Sequence, residues 1–222
     1  NAQLTLKKGE ILGIVGLVGS GRTETVRAIF GADKVKDKKI RLQGEDIDIV
    51  SPRSAIDQGI AMVPEDRKLQ GLLMRFSVER NISLARLASL VSFGFIRENE
   101  EKQMGVRQIG SLDIKTPSPK TKIQSLSGGN QQKAILGRWL ELKPRILILD
   151  EPTKGIDVGA KYEIYLIMKK IVEDGGSIIL ISSELPEVLN MSNRVITISD
   201  GKITGEFDPV KASADEIMEK AL

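Results

Sequence analysis

At 222 residues, with 41% hydrophobic and 28% charged side chains, the sequence has the make-up of a soluble globular protein, one domain or one domain with an inserted lobe. It has no cysteine and no histidine, which excludes a disulfide framework, thiol chemistry, and any His base or metal ligand. The net charge of +3 is spread among nearly as many acids as bases, which argues against nucleic acid as a partner, and no apolar stretch reaches membrane-spanning length.

Starting at Asn1 without an initiator Met, the chain reads as a piece excised from a longer, cytoplasmic one. Gln3-Leu4-Thr5-Leu6 alternates as a strand does and turns at Lys8-Gly9 into the apolar run Ile11–Val15. Val26, Ile29 and Phe30 then mark a helix. Lys38 to Leu42 reads as a short strand, Gly44-Glu45-Asp46 as a turn, and Ser51-Pro52 as the start of a short helix. Ile60–Val63 is a buried strand that runs into the charged loop Pro64–Lys68. From Ser77 to about Gly110 strands vanish and helical spacing dominates, as in a helical lobe that ends at Thr116–Pro119. A helix follows with Ile135, Leu136, Trp139 and Leu140 on its apolar stripe, which makes Trp139 a core residue; the charges from Arg97 to Lys102 read as a solvated helix face. The strand Arg145–Leu149, a long helix bearing Ile164, Ile167, Met168 and Ile171, and the strands Ser177–Ile181 and Val195–Ile198 complete the sheet. Ser213-Ala214-Asp215-Glu216 is a capping box for a last helix. Short apolar strands alternating with helices predict an α/β fold: a mostly parallel sheet flanked by helices, with an inserted helical lobe and a small antiparallel β portion near the N-terminus. The predicted core is 1–71 with 126–222, and the predicted lobe is 72–125.

Three constellations carry chemistry. Gly16-Leu17-Val18-Gly19-Ser20-Gly21-Arg22-Thr23 lies between a strand and a helix, where glycines let backbone N–H groups converge on phosphate and the helix start adds partial positive charge. The Lys expected in such a loop is replaced by Arg22, a planar fork in place of a point charge. Thr23 keeps the hydroxyl for a magnesium ion, and Glu24 puts an acid close to the phosphates. A glycine-rich turn without a ligand is the alternative for this stretch alone. Asp150 and Glu151 end an aliphatic strand, on the side of a parallel sheet where ligands lie; Asp150 is placed to support magnesium and Glu151 to polarise water, unless both merely solvate a strand end. Ser127, Gly128 and Gly129 open a helix as a second anion-binding start. A Ser N-cap would explain Ser127, but not the adjacent glycines and the polar run after them.

Taken together, LSGGNQQK (Leu126 to Lys133), ILILDEPT (Ile146 to Thr153), the loop Gly155-Ile156-Asp157 and the P-loop resemble the ATP-binding cassette family of transporter ATPases over essentially the whole chain. MVPEDRK (Met62 to Lys68) and EPTKGIDVGAK (Glu151 to Lys161) look like the second cassette of tandem ATPases serving monosaccharide importers of the ribose, galactose and xylose type.

The resemblance implies a P-loop NTPase (RecA-like) fold and ATP and Mg2+ as cofactors, with Gly16, Gly19, Ser20, Gly21, Arg22, Thr23 and Glu24 around the phosphates and Thr23 and Asp150 on the metal. It implies catalytic roles for Glu151, Ser183 and Glu65. Cassettes of this family work in pairs, so Ser127, Gly128, Gly129 and the Asp157 loop would face an ATP held by a partner, here the first cassette of the same polypeptide or a second copy of the isolated domain. Transmembrane permease subunits would contact the lobe and the Glu65 loop, and hold the protein peripherally on the inner face of the membrane. Glu65 stands where the family usually has a Gln that touches magnesium and water, and Ser183 where it has a switch His on the γ-phosphate. Losing one such donor typically costs about 10²–10³ in rate. With Arg22 and Glu24 also departing from the pattern, the resemblance implies an intact signature beside a degenerate P-loop. A non-hydrolysing regulatory module and a soluble non-transport ATPase of the same family are the alternatives. The aromatic that stacks on adenine normally precedes the P-loop, and none stands before Phe30.

Overall fold

A computed structural model describes residues 2–222. The N-terminal part of the chain forms β1 (Ile11–Val15), α1 (Arg22–Phe30), β2 (Ile40–Leu42), β3 (Glu45–Ile47), α2 (Pro52–Asp57) and β4 (Ile60–Val63). The middle forms α3 (Val78–Ser83), α4 (Leu87–Leu90), β5 (Val91–Ser92), β6 (Phe95–Ile96), α5 (Glu98–Ser111) and α6 (Gly128–Leu140). The last part forms β7 (Ile146–Asp150), α7 (Val158–Glu173), β8 (Ser177–Ile181), α8 (Leu185–Met191), β9 (Arg194–Ser199), β10 (Lys202–Phe207) and α9 (Ala214–Ala221). These pack as two compact units: the chain as far as Met62 with Arg145–Glu151 and Lys170–Leu222, and Val63–Pro144 with Pro152–Lys169.

The first unit is built on the main sheet. Among the described residues this has six strands in the order β10-β9-β1-β8-β7-β4. β1 pairs in parallel with both β8 and β9, β7 pairs in parallel with β8, and β10 returns antiparallel along β9. Every residue of β1 and β8 is buried, which is why both read as unbroken apolar runs rather than alternating ones. β10 alternates because it is an edge strand with one covered face. Gly13 in β1 sets how closely α8 can approach: a Cβ there would lie 2.3 Å from Val188 Cγ1 and 2.4 Å from Ser192 Oγ. At the other end of the unit, Ser213 and Glu216 form the expected capping box, and α9 buries Ile217 and Ala221 against Val15, Val188 and Val195.

Four expectations need correction here. Gln3–Leu6 belongs to no strand. An alternating pattern makes a strand only where a neighbouring strand pairs with its backbone; here the Arg194 guanidinium donates a hydrogen bond to the Thr5 carbonyl. The turn expected over Gly44-Glu45-Asp46 falls instead on Gln43 and Gly44, both at positive φ as a two-residue type I′ hairpin requires, and Glu45 and Asp46 belong to β3. The third lies in the second unit, where the lobe is not strandless: β5 and β6 form a hairpin turning at Phe93 and Gly94, also at positive φ. The helices predicted for that unit are present, with α3 packed against both α5 and α6. Trp139 is partly exposed near the end of α6 rather than in the core.

Buried polar groups tie the second unit together. Arg138 of α6 donates to the carbonyls of Gly71 and Asn81 and to Asn81 Oδ1, and burial lowers its pKa to about 10, so it stays a cation at neutral pH. Lys133, also on α6, donates to the Asp113 carbonyl and pairs with Glu163 at 2.7 Å. Residues 67–71 form one turn of π-helix, opened by Asp66, whose carboxylate accepts the backbone N–H groups of Lys68 and Leu69.

Candidate functional site

In the first unit the chain leaves the buried strand β1 through Gly16 and re-enters a helix at Arg22. Gly19 and Gly21 sit at φ 85° and 96°, left-handed values that favour glycine. Gly21 caps α1 without any side-chain hydrogen bond, so the first N–H groups of the helix remain for an external acceptor. A Cβ on Gly16 would fall 2.3 Å from the Ile198 carbonyl oxygen and 2.4 Å from Ser20 Oγ. Ser20 Oγ itself is buried and has no hydrogen-bond partner. An orphaned hydroxyl, free helix N–H groups and a turn only glycine can make fit a phosphate group. Thr23 is partly exposed on the first turn of α1, Glu24 beside it is exposed, and Asp150 is buried at the end of β7.

Arg22 does not project freely from this loop. It is 8% exposed, and its Nη1 donates to the Ser182 carbonyl at 3.1 Å, just past the end of β8. The same nitrogen lies 3.9 Å from Glu151 Oε1. Glu151 follows β7 at φ 49°, with its backbone N–H bonded to the Ile181 carbonyl. Its other carboxylate oxygen accepts a 3.0 Å hydrogen bond from Ser183 Oγ. Three predicted residues, Arg22, Glu151 and Ser183, are thus brought together where β7 and β8 end. The Ser182 carbonyl, the acceptor that draws Arg22 inward, has no signal in the sequence.

The remaining predicted residues lie in the second unit. Ser127 caps α6, its Oγ accepting from Asn130, while Gly129 is pressed against Ala160, to whose Cβ an added methyl would approach within 2.4 Å. Asp157 accepts the Ala160 backbone N–H at 3.0 Å and so starts α7. Glu65 pairs with Lys154 at 2.6 Å. Arg67 donates to the carbonyls of Lys154 and Gly155 at 2.7 and 3.2 Å. Glu65, Gly128 and Asp157 therefore belong to one cluster, held by two side chains, Arg67 and Lys154, that their motifs contain but do not explain. Among the described residues no group of three or more acids is placed to hold a metal ion by itself.

A family profile described as ABC transporter matches residues 1–154, a span that contains the glycine-rich loop, the LSGGN stretch and the Asp150–Glu151 strand end. The chain belongs to the ABC transporter family. Along 221 residues the cassette is 46% identical to the ribose import ATP-binding protein of Geobacillus kaustophilus, covering 100% of this chain and 45% of that protein. It is 48% identical over 219 residues to the xylose import ATP-binding protein of Thermoanaerobacter pseudethanolicus, covering 98% of this chain and 43% of the relative. The cassette thus spans less than half the length of the curated relatives it matches. Among solved structures, a nucleotide-free cassette of an ABC transporter superposes with a TM-score of 0.85 at 21% identity, covering 100% of this chain and 91% of that one. A dimeric cassette solved in a post-hydrolysis state with ADP and Pi superposes with a TM-score of 0.76 at 23% identity, covering 94% and 89%. At such identities the likeness establishes the fold, a mostly parallel sheet flanked by helices with small antiparallel additions.

Proposed function

We propose that this cassette is the second nucleotide-binding domain of a monosaccharide importer, pairing with a partner cassette so that ATP binding and hydrolysis drive uptake. Relatives at 46% and 48% identity that import ribose and xylose support the substrate class, and a match to less than half of each supports one cassette of a tandem. In this reading Gly16, Gly19, Ser20, Gly21 and the α1 N–H groups hold the phosphates, with Glu24 as an opposing charge. Thr23 and Asp150 hold Mg2+, which supplies neutralisation of the phosphate oxygens when bound. Glu151 orients water, and Ser183 holds the Glu151 carboxylate. Ser127, Gly128, Gly129 and Asp157 are offered to the nucleotide of the first cassette. The lobe at 72–125 and the loop at Glu65 dock on permease subunits, so that the core, 1–71 and 126–222, works peripherally on the inner face of the membrane.

The observation that carries the asymmetry is the placement of Arg22. A cation bonded to the Ser182 carbonyl and facing Glu151 is turned toward the strand ends, and must release them to reach phosphate. Each acceptor it keeps is a donor withheld from the charge that develops in the transition state. Ser183 is likewise engaged with Glu151 and is too short to replace a ring donor. The own P-loop is therefore a binding site that turns over poorly. Calorimetric titration of Mg-ATP into this chain tests the reading: binding heat without continuing hydrolysis heat is expected. Sustained heat would contradict the degenerate P-loop, and absence of any binding would contradict the assigned cradle.

A further inference from the structure

Arg67 occupies a place that neither the P-loop chemistry nor the signature explains. Its turn is anchored to α6 at both ends of that helix. Gly71 packs so closely that a Cβ would lie 2.8 Å from Ile135 Cδ1, and its carbonyl accepts from the buried Arg138. At the other end, a Cβ on Gly128 would lie 2.8 Å from Arg67 Nη2 and 3.3 Å from the Gly155 carbonyl oxygen. From this fixed base the guanidinium reaches the loop after Thr153: Nη1 donates to the Lys154 carbonyl at 2.7 Å and Nη2 to the Gly155 carbonyl at 3.2 Å. Gly155 turns its carbonyl there at φ 65°. Arg67 Nε is buried without a hydrogen-bond partner, and the two terminal nitrogens of the fork grip the two carbonyls. The Glu65–Lys154 ion pair straps the same two loops a second time. Two residues beyond Gly155, Asp157 starts α7, and Gly129 packs on Ala160 in the first turn of that helix.

We infer that Arg67 is a positioning residue: its fork fixes the 154–155 carbonyls, and through them holds Asp157 and the Ser127–Gly129 helix start in register with the Glu65 loop. The inference rests on the reading that Ser127–Gly129 and Asp157 serve a nucleotide held by the partner cassette. A planar fork is needed because the two carbonyls are adjacent along the chain and must be gripped together; a lysine can reach one at a time. Releasing them would leave the binding of ATP at the partner's P-loop intact and displace the groups that close on it. Small misplacements of such groups act on turnover rather than on affinity.

The test is steady-state ATP turnover by the full-length protein carrying Arg67→Ala or Arg67→Lys, with Ser127→Arg as a control for the underlying reading. Arg67→Ala is expected to lower kcat about tenfold with KM for ATP within about twofold of the parent, in line with displaced positioning groups. Arg67→Lys, the gentler change should Arg67→Ala fail to fold, is expected to retain the parent melting temperature but restore less than half of the loss in kcat. Parent-like kcat in Arg67→Lys, or a loss that appears only as a raised KM or a reduced folded fraction, would overturn the inference. Ser127→Arg separates the two layers: if it leaves turnover unchanged, the signature assignment is wrong; if it abolishes turnover while both Arg67 variants remain parent-like, only the positioning role is wrong.

Discussion

Arginine at position 22 holds the P-loop to the ends of two strands, a task a lysine would perform poorly. Its hydrogen bond to the Ser182 carbonyl is nearly buried, and Glu151 stands 3.9 Å away, a separation that adds attraction but no hydrogen bond. Arg22→Lys is therefore expected to destabilise the nucleotide-free cassette by about 1 kcal/mol, the scale of one charged hydrogen bond partly replaced. The same substitution is expected to tighten Mg-ATP, because a flexible ammonium can swing to the phosphates. Denaturant unfolding and nucleotide titration of the same variant check both signs; unchanged stability with unchanged affinity would contradict the role given to Arg22. Ser183 follows the same logic at smaller scale. Its exposed hydroxyl is directed at Glu151, so what a residue here contributes depends on the carboxylate beside it as much as on phosphate.

At the scale of elements, β1 is both the strand that launches the P-loop and the floor on which α8 rests. Gly13 is what allows this contact, and Gly13→Ala would force Val188 and Ser192 apart from the strand. A loss of about 1–3 kcal/mol in unfolding free energy is expected, the usual range for overpacking a filled core; parent-like stability would mean that α8 yields without cost. The buried parallel strands were legible because an element covered on both faces writes itself as an unbroken apolar run, as in Ile11–Val15 and Ser177–Ile181. β10 was not, because an edge strand reads KITGEF, half polar, and its register shifts between Ile203 and Gly205. α8 is short, with a proline in its first turn, too little for a helical period to emerge. Gln3–Leu6 misled for the converse reason: alternation records a pattern of exposure, while pairing depends on a neighbour that the local sequence does not specify. The glycine-rich loop was legible as a local motif. The Arg67 fork was not, since it joins residues 87 and 88 positions apart through their carbonyls, which any residue type supplies.

At the scale of the molecule, the chain carries two functional clusters of different character. The first unit holds a glycine-rich cradle whose cation faces its own strand ends; the second holds a signature helix start, an Asp157 turn and the Glu65 loop, braced by Arg67 and Lys154. The central claim is that the second cluster, offered to a partner cassette, contributes more to turnover than the first. Comparing ATP hydrolysis by the full-length protein carrying Ser127→Arg with that of Glu151→Gln tests this most directly. The account predicts that Ser127→Arg abolishes turnover whereas Glu151→Gln leaves most of it. The reverse pattern, loss with Glu151→Gln and retention with Ser127→Arg, would contradict it and make this cassette's own P-loop the working site.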